Sequence, residues 1–470
     1  MSDPQVAPGR TAYVVLLAST SLGTLTSTVV TAPVNVIADG VGASAAGIVV
    51  AVSAFTVAMV VLSPVAGWLC ERYGARRVLA ASLLLMLLAG LGASTSTSLA
   101  QLVVWRALQG VACSATPPAV QQVLGALWPG RRPQAMAAWA SAVGVGQAVG
   151  PPLGGAIADL LGWRAVFWVH GLLSVLLAVL IRWRVPDVPP GRPPMHVAGM
   201  ATLVVGVGTL AVAVTWAGQG GAPVLLVPLG AVGAAALVAH ALVARRSPRA
   251  LVPPRLLVER RYLRSTAAAG AVMATLGVVV VATPLHLGRD WDLGPGPIGL
   301  VMLSLAGSMA LLAPLTTRLG RRAPRAALAV SALALLLGVA AVGAVGRVDY
   351  RPAALVATVV VLVLTGAAIG AVQSRAALGV MRSEVAATPS AGAALGIHNT
   401  VRFGGLATGY AWVALTWPTG ELALVHLGPV VLLLGLLALL AGRPAAPPPA
   451  ERRTTPAAPS PVTTTTRGES

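Results

Sequence analysis

Apolar runs of about twenty residues follow one another along this chain, and the breaks between them are short and hold most of its charge. A helix needs about 20 apolar residues to cross a bilayer core, and about fourteen such runs are legible. The first covers 11–35, the fourth 99–124, the fifth 134–158, the eleventh 325–345, the thirteenth 390–415 and the last 423–442. Only 10% of residues are charged and the mean hydropathy is +0.84, far from the roughly 25% charge of an average soluble domain. A water-soluble fold cannot hide that much apolar surface, so an all-α integral membrane protein is expected.

The net charge of +19 raises the question of nucleic acid, but every one of the 32 basic residues is arginine, and they sit in short breaks rather than on one face. Short cytoplasmic loops are the arginine-rich ones. With the amino terminus inside, 26 arginines fall in cytoplasmic segments, four outside (Arg164, Arg289, Arg347, Arg351) and two within the membrane (Arg106, Arg402). That bias requires an even number of crossings and places both termini in the cytoplasm. The lysine-free, Ala/Val/Leu/Arg-rich usage resembles that of a GC-rich bacterial genome, so a bacterial inner membrane is the expected site. The apolar stretch after Arg10 lacks a cleavage signal and is read as a retained span.

Two short loops resemble one another. Gly67-Trp-Leu-Cys-Glu71-Arg72-Tyr-Gly74-Ala-Arg76-Arg77 follows the second run, and Thr317-Arg-Leu-Gly-Arg-Arg322 follows the tenth. The repetition predicts two six-helix bundles, 11–183 and 265–442, with two inserted helices at 196–244. A cytoplasmic amino terminus (1–10), a basic cytoplasmic loop (245–264) and a disordered Pro/Thr-rich cytoplasmic tail (443–470) complete the division. Paired bundles are a recurring transporter design with substrate bound where the halves meet. In the first loop Gly67 permits close helix approach, Gly74 a tight turn, and Glu71 can accept from helix amino-terminal amides or pair with an arginine. Glu71, Arg72 and Arg76 are therefore expected to stabilise one access state, although positive-inside topology alone also accounts for the arginines.

The first loop resembles the signature of the major facilitator superfamily, Gly-x-Leu-x-Asp-Arg-x-Gly-Arg-Arg, with Glu71 at the aspartate position. Arg106-Ala-Leu-Gln109-Gly110 resembles the Arg-x-x-Gln-Gly motif of proton-coupled members. Gly146-x-x-x-Gly150-Pro151-x-x-Gly154-Gly155 resembles the glycine-proline motif of exporters, and Trp163-Arg164-x-x-Phe167-Trp168 a pattern of the fourteen-span drug:proton antiporters. The resemblance implies a proton-coupled exporter of a small amphiphilic drug or metabolite, with gating at Gly150, Pro151, Gly154 and Gly155. It also implies membrane lipids and protons as partners.

Arg106 lies inside a span, where a guanidinium costs ~2.5–3.5 kcal/mol unless paired or wetted. It is either part of the proton-coupling region, with Gln109 one turn away, or a structural group satisfying carbonyls of a broken helix. His398 and Arg402 share a helical face at spacing four; a histidine titrates near neutrality, so His398 is either proton-sensitive or a satisfied core residue. The resemblance also implies an acid in the first span, and Thr26 occupies that position. All 13 acids fall in loops, tails or span ends, which favours a facilitator or importer of an organic anion as the alternative, or a non-transporting sensor or scaffold. Polar or aromatic candidates for a central cavity are Thr26, Thr28, Thr31, Asn35, Trp139, Gln147, Gln373 and Asn399. Neither metal-ligand spacing nor a nucleotide-binding loop is present, so no cofactor, no metal and no enzymatic activity are expected, and a monomer is.

Overall fold

The computed structural model describes residues 9–43, 45–191, 193, 196–247, 250, 258–289, 291, 293, 295–316, 329, 331–337, 351–384, 391–417 and 422–441. The second copy of the repeated loop, the middle of the basic loop, most of the eleventh run, and the tail lie outside the described residues, as does the side chain of Asn35.

Among the described residues every regular element is helical. The first run forms α1 (Arg10–Thr28) and a short α2 (Val34–Gly40), and the second forms α3 (Ala45–Tyr73). Next come α4 (Ala75–Ser94), α5 (Leu99–Cys113), α6 (Thr116–Leu127), α7 (Arg132–Leu161) and α8 (Trp163–Arg184). The pair expected as an insertion is α9 (Val197–Gly218) and α10 (Pro223–Arg246). The remainder is α11 (Arg260–Arg289), α12 (Pro295–Thr316), α13 (Arg351–Met381), α14 (Ala391–Thr416) and α15 (Leu422–Ala441). The fifteen helices named here do not map one to one onto fourteen runs: two runs are broken into two helices each, and the eleventh, mostly outside the described residues, supplies none of the fifteen. The first stops before Pro33, and the fourth is interrupted at Ser114–Ala115, just ahead of Pro117 and Pro118 in the first turn of α6. Proline carries no N–H to continue a helix but fits its first turn.

Seven of these helices are long and apolar enough to cross a membrane by length and composition: α3, α4, α8, α9, α10, α11 and α13. Neither α1, rich in threonine and serine, nor α14, with His398, Asn399 and Arg402, is among them. Large apolar side chains face outward on many helices, among them Leu160, Leu172, Val224, Leu311 and Val431. Such a belt is incompatible with water and suits lipid tails.

The packing is reciprocal. The glycine-rich helix α7 packs on α1 and on α12, while α14 packs on α11 and on α3. Each of these two helices therefore touches the first helix of its own expected half and the second helix of the other. Glycine makes the close approaches. A Cβ on Gly146, Gly150 or Gly154 would collide with Ser21 or Thr28 of α1 or with Val29 just after it, and one on Gly405 or Gly409 with Gly270 or Ala274 of α11. Both faces repeat every four residues, which stacks small residues on one side of a helix. The α9 helix packs across α3 and α14, and α10 packs mainly on α9, leaving most of its own apolar surface outward.

Candidate functional site

The turn between α3 and α4 is made by a single residue, Gly74, at φ +94°, a conformation that side chains resist. That tight reversal brings Arg76 back toward the end of α8. Its guanidinium donates to the Val185 carbonyl at 3.0 Å and to Asp187 Oδ2 at 3.1 Å, and Arg77 approaches the same carboxylate at 3.6 Å. Asp187 is partly solvent-exposed, so this pair is worth at most about 1 kcal/mol. Asp187→Asn is accordingly expected to leave the melting temperature of the purified protein within a few degrees of wild type.

Glu71 engages a different partner. Its Oε2 accepts from the backbone N–H of Gly392 at 2.6 Å, in the first turn of α14. A carboxylate there satisfies an otherwise orphaned amide and meets the positive end of the helix dipole. The contact needs close approach, and glycine provides it. A Cβ on Gly67 would overlap the Gly392 carbonyl, one on Gly392 the Gly67 carbonyl, and one on Gly396 the Ser63 carbonyl. Gln122 donates to the Gly67 carbonyl at 3.5 Å, and Thr400 to the Val60 carbonyl at 2.9 Å. Of the two partners expected for Glu71, the helix amino-terminal amide is present. Arg72 is exposed at the end of α3.

Deeper in the fold two arginines are almost completely buried. Arg106 donates to the Thr26 carbonyl at 3.2 Å and to Gln109 Oε1 at 2.9 Å, and its guanidinium lies 4.5 Å from the centre of the Phe55 ring. Thr26, at the position where an acid is expected, donates to the Leu22 carbonyl and shares a 2.6 Å hydrogen bond with His170 Nε2. No spacing along the chain singles out His170 or Phe55; α1, α3, α5 and α8 must meet before these residues gather around Arg106 and Thr26.

Arg402 sits between two rings, 4.8 Å from the centres of both Trp139 and Phe403. Its hydrogen bonds are long, 3.5 Å to Asn399 Oδ1 and 3.3 Å to Gln373 Oε1. Asn399 in turn donates to Gln121 Oε1 at 3.0 Å, joining α14 to α6. His398 turns toward α11, with Nδ1 3.2 Å from the Thr266 hydroxyl. Among the described residues no carboxylate pairs with Arg106 or Arg402.

A cavity of about 20 Å3 lies between α1, α6, α7 and α14. That volume admits a water molecule but no amphiphile, so a substrate could enter only after the helices separate. Trp139, Gln147 and Arg402 line it, and Gln373 and Asn399 hold Arg402. Arg106 is not on its wall; Cys113, which is, lies within electrostatic reach of both arginines. From α1 the cavity meets Thr20, Thr24 and Ser27. Of the α1 residues expected there, Thr26 turns to His170, Thr28 bonds to the Leu25 carbonyl and packs on Gly150, and Thr31 caps the Thr28 carbonyl in the break before α2. Pro151 lies inside α7 without ending it, and Gly155 meets only Ala32 at ordinary contact distance.

The same arrangement of helices is found in solved structures of low sequence identity. The human organic anion transporter MFSD10 superposes with a TM-score of 0.64 at 16% identity, covering 93% of this chain and all of that one. The proton:xylose symporter XylE, solved with 6-bromo-6-deoxy-D-glucose, gives 0.64 at 15% identity over 92% of this chain and 95% of its own. Proteins carrying the name multidrug resistance protein MdtD are 26% identical in Escherichia fergusonii and 27% in Shigella flexneri serotype 5b. Each of those alignments covers 290 residues, 61% of this chain and 62% of the relative. The chain thus matches less than two thirds of these relatives' length. The family model described as Major Facilitator Superfamily matches residues 14–410, and with that nearly full-length match the chain belongs to the major facilitator superfamily.

Proposed function

We propose that this protein is a secondary active transporter that exports a small amphiphilic drug or metabolite by alternating access, in exchange for protons. The observation that carries the reading is the relation between the α3–α14 contact and the central cavity. One end of the seam is held by Glu71, Gly67, Gly392 and Gly396, and farther along α14 Arg402 closes a cavity too small for cargo. A contact held by one charge-assisted hydrogen bond, the Thr400 hydroxyl on the Val60 carbonyl and bare glycine backbone is able to part without unfolding either helix. The MdtD relatives favour drug export. In this reading the chain crosses a bacterial plasma membrane fourteen times as a monomer, with both termini inside. Arg106, Gln109, His398 and Arg402 form the coupling region, and Gly150, Pro151, Gly154 and Gly155 give α7 the smooth face along which α1 moves.

Uncoupled facilitation is the second reading, and Thr26 at the acidic position favours it. One experiment separates the two. In liposomes containing the purified protein, an imposed pH gradient is expected to drive uptake of a fluorescent amphiphile against its own gradient, and the amphiphile is expected to move protons in return. Flux that ignores the pH gradient assigns the protein to facilitation, and no saturable flux for any amphiphile removes the transport reading.

A further inference from the structure

Four residues that line the central cavity carry buried polar atoms that no group among the described residues satisfies. Arg402 Nε, Trp139 Nε1, Thr116 Oγ1 and Gln147 Oε1 have no hydrogen-bond partner among the described residues, and all four residues line the cavity. Arg402, Trp139 and Thr116 are each almost wholly buried. An orphaned buried donor carries its full desolvation penalty, and natural folds rarely leave several together. The four residues come from three different helices and line one space. Their chemistry is lopsided: a guanidinium N–H, an indole N–H and a hydroxyl can donate, and only the glutamine oxygen is confined to accepting.

Charge points the same way. Arg402 is compensated by two long amide contacts and two ring faces, none of which carries negative charge. Arg106, on the neighbouring α5, has carbonyl, amide and ring partners and no carboxylate among the described residues. A buried cation without a counter-charge is costly until one arrives, and a second cation entering the cavity would add repulsion.

We propose that the cavity recognises the anionic head of an aromatic or apolar organic acid, a carboxylate or sulfonate accepting from Arg402 Nε and Trp139 Nε1 while Gln147 Oε1 takes a donor from the rest of the molecule. The proposal rests on the reading that this cavity lies on the transport path, and it names the class of cargo. The apolar body would lie against Met59, Val143 and Leu406, which also face the cavity.

Three matched probes test it: 2-naphthoate, 2-naphthylmethanol and 2-naphthylmethylammonium, titrated by calorimetry into the full chain in lipid nanodiscs. A second readout is native to the site. In a Cys70→Ala background Cys113 is the only thiol, and its alkylation by N-ethylmaleimide reports occupancy of the cavity wall. Naphthoate is expected to bind at least tenfold more tightly than the ammonium probe and to slow Cys113 alkylation. Losing a hydrogen bond to a charged group is worth about a factor of ten, so Arg402→Gln should erase the preference. Trp139→Phe, which keeps the ring and removes only its N–H, should weaken naphthoate severalfold without affecting the neutral probe; it stands as the test if Arg402→Gln fails to fold.

Equal or tighter binding of the ammonium probe, a preference that survives both substitutions, or no binding of any probe would overturn the proposal. Export of a cationic dye by the same preparation under a pH gradient would, in those cases, leave the exporter reading intact. Absence of both binding and flux would remove the two together.

Discussion

Valine in place of Gly392 is expected to reduce transport at least tenfold while the protein still inserts, folds and purifies. The Cβ at this position would strike the Gly67 carbonyl, the end of Gln122 and the Cβ of Glu71, so α3 and α14 could no longer meet. Backbone cannot retreat as a flexible side chain can. Overpacking of this kind costs typically 1–3 kcal/mol, and each 1.4 kcal/mol shifts a two-state equilibrium tenfold. The state in which the Glu71 end of the seam is closed would become rare. Both helices keep their other neighbours, α5 for α3 and α11 for α14, which is why the fold should persist. Glu71→Gln retains an oxygen for the Gly392 amide and loses only the charge, so its effect should be smaller, of the order of the 0.3–1 kcal/mol that a carboxylate gains at a helix amino terminus. Flux in liposomes alongside thermal unfolding in detergent separates the outcomes. Wild-type flux from Gly392→Val would show that the α3–α14 contact does not have to close.

What the sequence carried was periodicity and punctuation. Bilayer-length apolar runs and arginine-bearing breaks locate most helix ends to within a few residues, because the charge and the turn glycines lie where the chain must leave lipid. Gly74 is legible for the same reason: between Tyr73 and Ala75 a one-residue reversal leaves little choice but glycine. The breaks after α1 and α5 were signalled by Pro33 and by the Pro117–Pro118 pair, yet hydropathy continues smoothly across both and masks them. On α1 the stripe that lines the cavity lies about a third of a turn from Thr26. Thr20, Thr24 and Ser27 share one stripe, and Thr26 another, but a helix with hydroxyls on several sides does not declare which one faces inward. Asp187 and His170 depend on long-range partners, Arg76 and Thr26, more than a hundred residues away. No local pattern contains such pairings.

The adjacent glycines of α7 should respond oppositely to the same change. Alanine at Gly154 would drive its methyl into the Val29 carbonyl and against the Val29 side chain, whereas alanine at Gly155 would meet only the Ala32 methyl at 3.6 Å, an ordinary contact. Close helix approach through small residues is what holds membrane helices together when there is no water to expel. Separating α1 from α7 at Gly154 would also strain the contacts above it, where Thr28 packs on Gly150 and Ser21 donates to the Ala142 carbonyl at 2.8 Å. Gly154→Ala is therefore expected to destabilise the protein by about 1–3 kcal/mol, seen as a fall of several degrees in melting temperature and a lower folded yield. Gly155→Ala should lie within about 0.5 kcal/mol of wild type, because the better helix propensity of alanine offsets a slight adjustment of the Ala32 turn. The α14–α11 contact supplies an internal control: alanine at Gly409 faces the Ala274 carbonyl and should cost as much as alanine at Gly154. Equal tolerance at 154 and 155 would mean that the glycine face of α7 is not in backbone contact with α1, and the sliding seam proposed for α7 would lose its physical basis.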